Sequence, residues 1–274
     1  MSHPILQELL AATAEERPVA LVTVVAGPTA GGKTLVSPSG VTGSLGDIAL
    51  EHAAVGDARA MLAKGASGTR HYGLSGEERG DEVEVFIQSF APPPRMYVFG
   101  AIDFSRATVR VGKLLGYHVT VIDARQTFAT ARRFPEADEV VVAWPHEFLA
   151  SAPVDERTAL CILTHDPKFD VPVLVAAVRT LAAYIGAMGS RRTHTDRMRR
   201  LREEGVAERD LARIRGPIGL DIGARTPEEV AVAIAAEIIA LLYGKEAPSL
   251  SNGSGPIHQP LAVAAAAERG EATG

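Results

Sequence analysis

The sequence predicts an α/β protein in which a C-terminal Rossmann-like, doubly wound parallel sheet follows a smaller N-terminal α+β domain. Three observations predict it. Between Met96 and Arg125 a short apolar run (Met96 to Phe99) meets Gly100, a helix-competent segment follows to Leu115, and a second apolar run (Val119 to Ile122) ends at Asp123, the layout of a β-α-β unit. Short apolar runs then alternate with amphipathic segments through most of the remaining chain to Tyr243, as a parallel sheet covered on both faces requires. Ala91-Pro92-Pro93-Pro94 stiffens the chain and forbids regular pairing, which separates an N-terminal domain over 1–91 from a Rossmann-like domain over 95–244.

Taken in order, His3 to Thr13 reads as a helix with Ile5, Leu6, Leu9 and Leu10 on one face. Val19 to Ala26 is a strand, ended by Gly27-Pro28. Gly27 to Thr34 satisfies the phosphate-loop pattern G-x-x-x-x-G-K-[ST], but such a loop must open a helix. Here Leu35-Val36 runs into Ser37-Pro38-Ser39-Gly40 and Pro28 lacks an N–H, so the segment is expected to be a hairpin. Val41 to Gly46 has turn chemistry, Asp47 caps a helix over Ile48 to Leu62, and Thr69 to Leu74 and Glu82 to Phe90 are strands.

After the central unit, strands are expected over Asp138 to Ala143, Thr158 to Thr164 and Tyr184 to Met188. A helix from Phe169 to Ala183 has Asp170 as its expected cap, and Thr226-Pro227-Glu228-Glu229 opens a last helix with a capping box and a first-turn proline. Beyond Gly244, Pro, Ser, Gly and Ala dominate, and 245–274 reads as a disordered tail.

A formal charge of −5 over 274 residues argues against a nucleic-acid binder, which needs a basic footprint. The single cysteine, Cys161, excludes an internal disulfide, and its neighbours Leu160, Ile162 and Leu163 place it as a buried thiol in a strand. The histidines show no metal-ligand spacing, so no metal is expected. No apolar run approaches a membrane span and no basic-then-apolar leader opens the chain, so the expectation is a cytoplasmic protein without membrane partners.

In open α/β sheets ligands sit outside the carboxyl ends of the strands, which gathers the candidate residues at one edge. Asp123, about 20 residues past the central turn, stands where dinucleotide folds place a ribose-binding carboxylate. The turn itself reads Gly100-Ala101-Ile102-Asp103 instead of G-x-G-x: Ile102 is expected to fill the phosphate position and Asp103 to cap the helix in an anion's place. His165-Asp166 is a candidate acid/base pair, with Asp170 an equal alternative partner for the imidazole. Gly189-Ser190-Arg191-Arg192 opens a helix as an anion site, within a run to Arg215 where arginine outnumbers acid. The glycine-rich segment from Arg215 to Gly223, with Gly216 and Gly219, would let backbone approach a ligand.

Together these pieces resemble the XdhC/CoxI family of molybdenum hydroxylase maturation factors. The resemblance rests on Gly27-Pro28 through Gly32, Gly43 to Gly46, Phe99-Gly100-Ala101, Val119 to Arg125, Arg133-Phe134-Pro135, Thr164-His165-Asp166, Gly189 to Arg192, Arg215 to Gly223 and Thr226 to Glu229. It implies an accessory protein more than a catalyst, one that binds molybdenum cofactor (molybdopterin), assists its sulfuration and hands it to an apo molybdenum hydroxylase. The implied partners are that hydroxylase, of xanthine or carbon monoxide dehydrogenase type, and a cysteine desulfurase-type sulfur donor; apart from the resemblance, two domains joined by a proline hinge, with a crevice that needs a lid, lead to the expectation of a homodimer. The implied cofactor site takes in Arg125 with the edge residues above. Two departures stand out: Asp47-Ile48-Ala49 where family members commonly carry Gly-Gly-Gly-Cys, and Ile102-Asp103 where they carry Gly-His. The alternative is an NAD(P)-dependent oxidoreductase using the Rossmann-like domain.

Overall fold

The computed structural model describes residues 3–74, 76–77 and 80–252. They divide into two compact units, one ending at Pro92 and one beginning at Pro93. Of the expected tail, 253–274 lies outside the described residues; Leu250–Asn252 forms a 3-10 turn.

The first unit is a five-stranded antiparallel sheet, order β3-β2-β1-β5-β4, built from β1 (Val19–Ala26), β2 (Lys33–Val36), β3 (Val41–Ser44), β4 (Gly68–Tyr72) and β5 (Val83–Phe90). Strand β1 is apolar without alternation because both its faces are covered. Ala20, Val22 and Val24 pack with helix α2 (Ile48–Ala63), whereas Val19 and Leu21 pack with α1 (His3–Ala14). On α1 the buried stripe is Ile5, Leu9 and Ala12, while Leu6 and Leu10 are exposed, so the apolar face is narrower than the sequence suggests. The phosphate-loop look-alike is the β1–β2 hairpin turn, and Lys33 Nζ reaches back to Thr23 Oγ1 at 3.0 Å. Val41–Ser44 is a strand where a turn was expected.

The second unit is a six-stranded, wholly parallel sheet made of β6 (Arg95–Phe99), β7 (His118–Asp123), β8 (Glu139–Val142), β9 (Ala159–Ile162), β10 (Tyr184–Ala187) and β11 (Ile214–Arg215), in the order β11-β10-β9-β6-β7-β8. Counted from β6 this is the 3-2-1-4-5-6 arrangement of a doubly wound fold, whose switch point falls between β6 and β9. Alternate residues feed two cores. Tyr97, Phe99, Leu160 and Ile162 pack on the face of α4 (Pro145–Ser151), α5 (Pro167–Ala177), α6 (Arg191–Glu203) and α7 (Glu208–Leu211). Met96, Val98, Val121 and Cys161 pack on the face of α3 (Asp103–Leu114) and α8 (Pro227–Leu242). Burial among apolar side chains pushes the Cys161 thiol up to about 12, which keeps it protonated and inert.

Candidate functional site at the carboxyl edge of the parallel sheet

Gly100 leaves β6 with φ +107°, and its Cα faces Thr164, the residue that follows β9 across the switch point: an added Cβ would lie 2.6 Å from Thr164 Cγ2. The two central strand ends therefore touch, and only glycine permits the approach. Ala101 N donates to Asp123 Oδ2 at 2.7 Å, and Arg125 donates three further bonds to the same carboxylate, from N and Nε to Oδ1 and from Nη2 to Oδ2. Four donors fill the four lone-pair directions of a carboxylate that is 3% exposed. A ribose would find no free acceptor there, so the expected ribose-binding role of Asp123 is corrected to a brace that joins the β6 turn to the β7 end. Burial alone would raise the Asp123 pKa, but the Arg125 and backbone bonds outweigh it and hold the carboxyl below the usual range.

The turn differs from expectation in a second way. The N-cap of α3 is Ile102, which has no acceptor, and Asp103 is the first helical residue, its side chain almost fully exposed and 3.7 Å from Arg133. Asp103 does not cap the helix. Ile102 rests partly against the core of its face and lines the cavity beside the first turn of α3.

Around β9, Asp166 caps α5 by accepting from Lys168 N at 3.0 Å. Asp170, expected as the cap, is instead inside the helix and buried. It accepts from Thr164 Oγ1 and, at 2.7 Å, from Arg197 Nη2, and the same nitrogen donates to Met188 O at 2.7 Å. Among the described residues His165 has no hydrogen bond to Asp166 or Asp170, so the expected acid/base pair is not assembled. Arg197 and Asp170 are each 3% exposed at the side chain, yet Arg197 Nη1 is buried without a partner. A cavity of about 20 Å³ is lined there by His165, Asp170, Thr193, Arg197 and Arg200, among others, room for about one water-sized group.

Gly189 turns with φ +142° into α6, where Ser190 accepts from Thr193 N at 3.1 Å. Arg192 is exposed, and Arg191 reaches Asp221 at 3.1 Å with both side chains in solvent, a pair of little energetic weight. Arg215 is exposed at the end of β11, and Gly216 lies against His194, whose Nδ1 an added Cβ would meet at 2.2 Å. Gly219 N donates to Glu237 Oε2 at 2.9 Å and its Cα abuts the backbone of α8. Its expected closeness to a ligand is therefore corrected: the glycine admits a helix.

The edge thus unites Gly100, Ala101, Asp123 and Arg125 on one side of the switch point, and Thr164, Asp170 and Arg197 on the other. Asp166 links them weakly: Arg125 is raised mainly by its bond to Asp123, with a smaller contribution from the charge of Asp166. Arg197 was not singled out from sequence. Its signal is Leu201, four residues on and buried, which marks Arg197 as belonging to the inward face of α6. Among the described residues no three His, Cys, Asp or Glu side chains gather to hold a metal, and no helix is long and apolar enough to cross a membrane.

A two-unit protein with a Rossmann-ordered sheet and a cation-bearing carboxyl edge is the class that fold and site define. Residues 96–238 match the XdhC Rossmann domain and residues 12–73 match the XdhC and CoxI family. The chain belongs to the XdhC/CoxI family. It is 32% identical over 57% of its length to a probable xanthine dehydrogenase component of Bacillus subtilis, covering 45% of that protein. It is 30% identical over 60% of its length to the molybdenum cofactor insertion chaperone PaoD of Escherichia coli, covering 45% of it, and 30% identical over 69% of its length to the uncharacterized protein YqeB of the same organism, covering 35%. The chain thus spans less than half the length of these curated relatives. A crystal structure of a xanthine dehydrogenase from Bacillus halodurans is similar with a TM-score of 0.50 at 20% identity, over 87% of this chain and 96% of that one, a likeness of fold alone.

Proposed function

We propose that the protein binds molybdenum cofactor along the carboxyl edge of its parallel sheet and passes it to an apo molybdenum hydroxylase. The observation that carries this reading is the buried Arg197 guanidinium, held by Asp170 and Met188 O with Nη1 left unpartnered in a side chain that lines the His165–Arg200 cavity. An orphaned charged donor, fixed in place, is ready to meet an anionic oxygen, and molybdopterin carries a phosphate. His165, Thr193, Arg197, Arg200 and the Ser190–Arg192 helix start are the residues that would hold it. When bound, the cofactor supplies the labile metal centre that the hydroxylase needs. The chain's own part is to fix the anion, to orient the guest beside His165 and to release it. Family membership and the relative named a molybdenum cofactor insertion chaperone support the reading. Sulfuration through a cysteine desulfurase-type donor, a homodimeric state and a cytoplasmic setting belong to the same proposal.

The test is purification after co-expression with molybdopterin synthesis. The expected result is bound pterin, detected as its fluorescent oxidation product and diminished by His165→Ala and Arg200→Ala, with hydroxylase activity lost on deletion of the gene. Pterin-free protein together with undiminished hydroxylase activity in the deletion strain overturns the proposal.

A further inference from the structure

Across the switch point from the Arg197 cavity, the first turn of α3 and the loop after β7 enclose a second and much larger cavity of about 490 Å³. Its lining includes Arg106, Arg132 and Arg133, the hydroxyl-bearing Thr127 and Thr130, and one acid, Asp103. Three guanidinium groups against one carboxylate give an excess of two positive charges. Among the described residues Arg106 and Arg132 form no hydrogen bond or ion pair; the neighbouring Glu136 accepts from Arg110 Nε at Oε1 at 2.9 Å, leaves Oε2 unpartnered, and feels the charge of Arg106 at longer range.

Arg133 has a different part. Its Nη1 donates to Ala101 O at 3.1 Å and to Phe128 O at 3.4 Å, and its guanidinium lies 5.3 Å from the Phe128 ring centre. Arg125, fixed by Asp123, stacks on the same ring at 4.5 Å. Both cations lie on the Phe128 ring, which ties down the loop that carries Arg132. The usual dinucleotide mode, in which turn amides approach a pyrophosphate, is not this arrangement, because Ala101 N is spent on Asp123. Here side chains supply the donors.

We infer that this cavity is a binding site for a phosphate ester or diphosphate group, recognised by Arg106 and Arg132, with Arg133 adding positive charge from the wall. A phosphate monoester carries close to two negative charges at neutral pH, which matches the excess in the cavity, whereas a carboxylate carries one. Planar guanidinium forks suit its tetrahedral oxygens, and 490 Å³ lies in the range of small-ligand pockets. The site is separate from the one assigned to the cofactor and does not depend on that reading.

The test is calorimetric titration of the full chain, at low ionic strength, with pyrophosphate, inorganic phosphate and acetate. The expected result is saturable binding of pyrophosphate, weaker for phosphate and absent for acetate. Arg106→Ala and Arg132→Ala should each weaken it about tenfold, the worth of one charge-assisted hydrogen bond; both side chains are exposed, so the variants keep the fold. Arg59→Ala, an exposed arginine on α2 of the first unit, should leave it unchanged. No saturable pyrophosphate binding, equal binding of acetate, full affinity in the Arg106/Arg132 double variant, or loss in Arg59→Ala would each overturn the assignment. Pyrophosphate binding by protein that never carries pterin, with hydroxylase activity undiminished in the deletion strain, would keep this site and discard the cofactor reading.

Discussion

The Asp123 carboxylate grips the Arg125 guanidinium through two parallel bonds, Nε to Oδ1 at 2.9 Å and Nη2 to Oδ2 at 2.8 Å, while still accepting the Ala101 amide. One side chain thereby ties the end of β7 to the turn after β6 and holds Arg125 against the Phe128 ring. Asp123→Asn turns two of four acceptor directions into donors facing donors. A loss of about 2 to 3 kcal/mol is expected, below the cost of breaking a fully buried pair because Arg125 is half in solvent; urea denaturation measures it. The folded-state pKa of Asp123 is depressed, so its contribution is present above the unfolded value of about 3.9 and is lost as pH falls through the folded one. The stability difference between wild type and variant should therefore shrink below about pH 4, and a difference constant down to pH 2 would contradict the assignment.

Gly100→Ala tests the contact between the central strand ends. The new methyl would meet Thr164 Cγ2 at 2.6 Å from a backbone with φ +107°, combining overpacking with left-handed strain at a cost of about 2 to 4 kcal/mol. Thr164→Ser removes the opposing methyl and keeps the hydroxyl that bonds Asp170. Adding it to Gly100→Ala should recover about 1 kcal/mol, measured as a shift of the denaturation midpoint. No recovery would mean that φ strain alone sets the penalty.

What could be read from the chain follows from how local each determinant is. Capping is local: Asp47, Ser190 and the Thr226–Glu229 box stand where their sequence places them. The α5 cap was displaced by four residues because two aspartates competed, although Pro167 at the first helical position marks Asp166 as the cap. Strand β11, two residues long, has too little chain to show a period, and α4 spans only seven residues. The deeper loss concerns Arg197. Six arginines between Arg191 and Arg202 read as a solvated face, and only tertiary packing turns one of them onto Asp170, 27 residues away. The arginine cavity was hidden for the same reason, since Arg106 and Arg132 come from opposite sides of β7.

Asp170 and Arg197 should be energetically inseparable. Asp170→Leu leaves a guanidinium buried at 3% exposure with one acceptor fewer, and Arg197→Met strands the carboxylate. Each should cost about 3 to 5 kcal/mol. The double variant Asp170→Leu with Arg197→Met removes both charges, and its loss should be smaller than the sum of the single losses by at least about 1.5 kcal/mol. Additive losses in denaturant would show that the pair is not coupled.

His194 gives the protein a stability step close to neutral pH. Its imidazole lies half-buried against Gly216 with Nδ1 unpartnered. Burial, and after it the positive charge of Arg197, depress its pKa, because a second proton would add charge to a site already cationic and desolvated. The unfolded chain, with an imidazole near 6.5, then binds more protons than the folded one once pH drops below that value, so stability falls as pH falls from about 6.5 to the folded pKa. His194→Asn keeps a polar side chain of smaller volume and removes the titration. Melting temperatures taken from pH 8 to pH 5 should fall more steeply below pH 6.5 for wild type than for the variant; the other histidines, common to both, cancel in the difference. Parallel curves would mean that the imidazole picks up its proton equally readily in the folded and unfolded chain, and that the contact with Gly216 opens without cost.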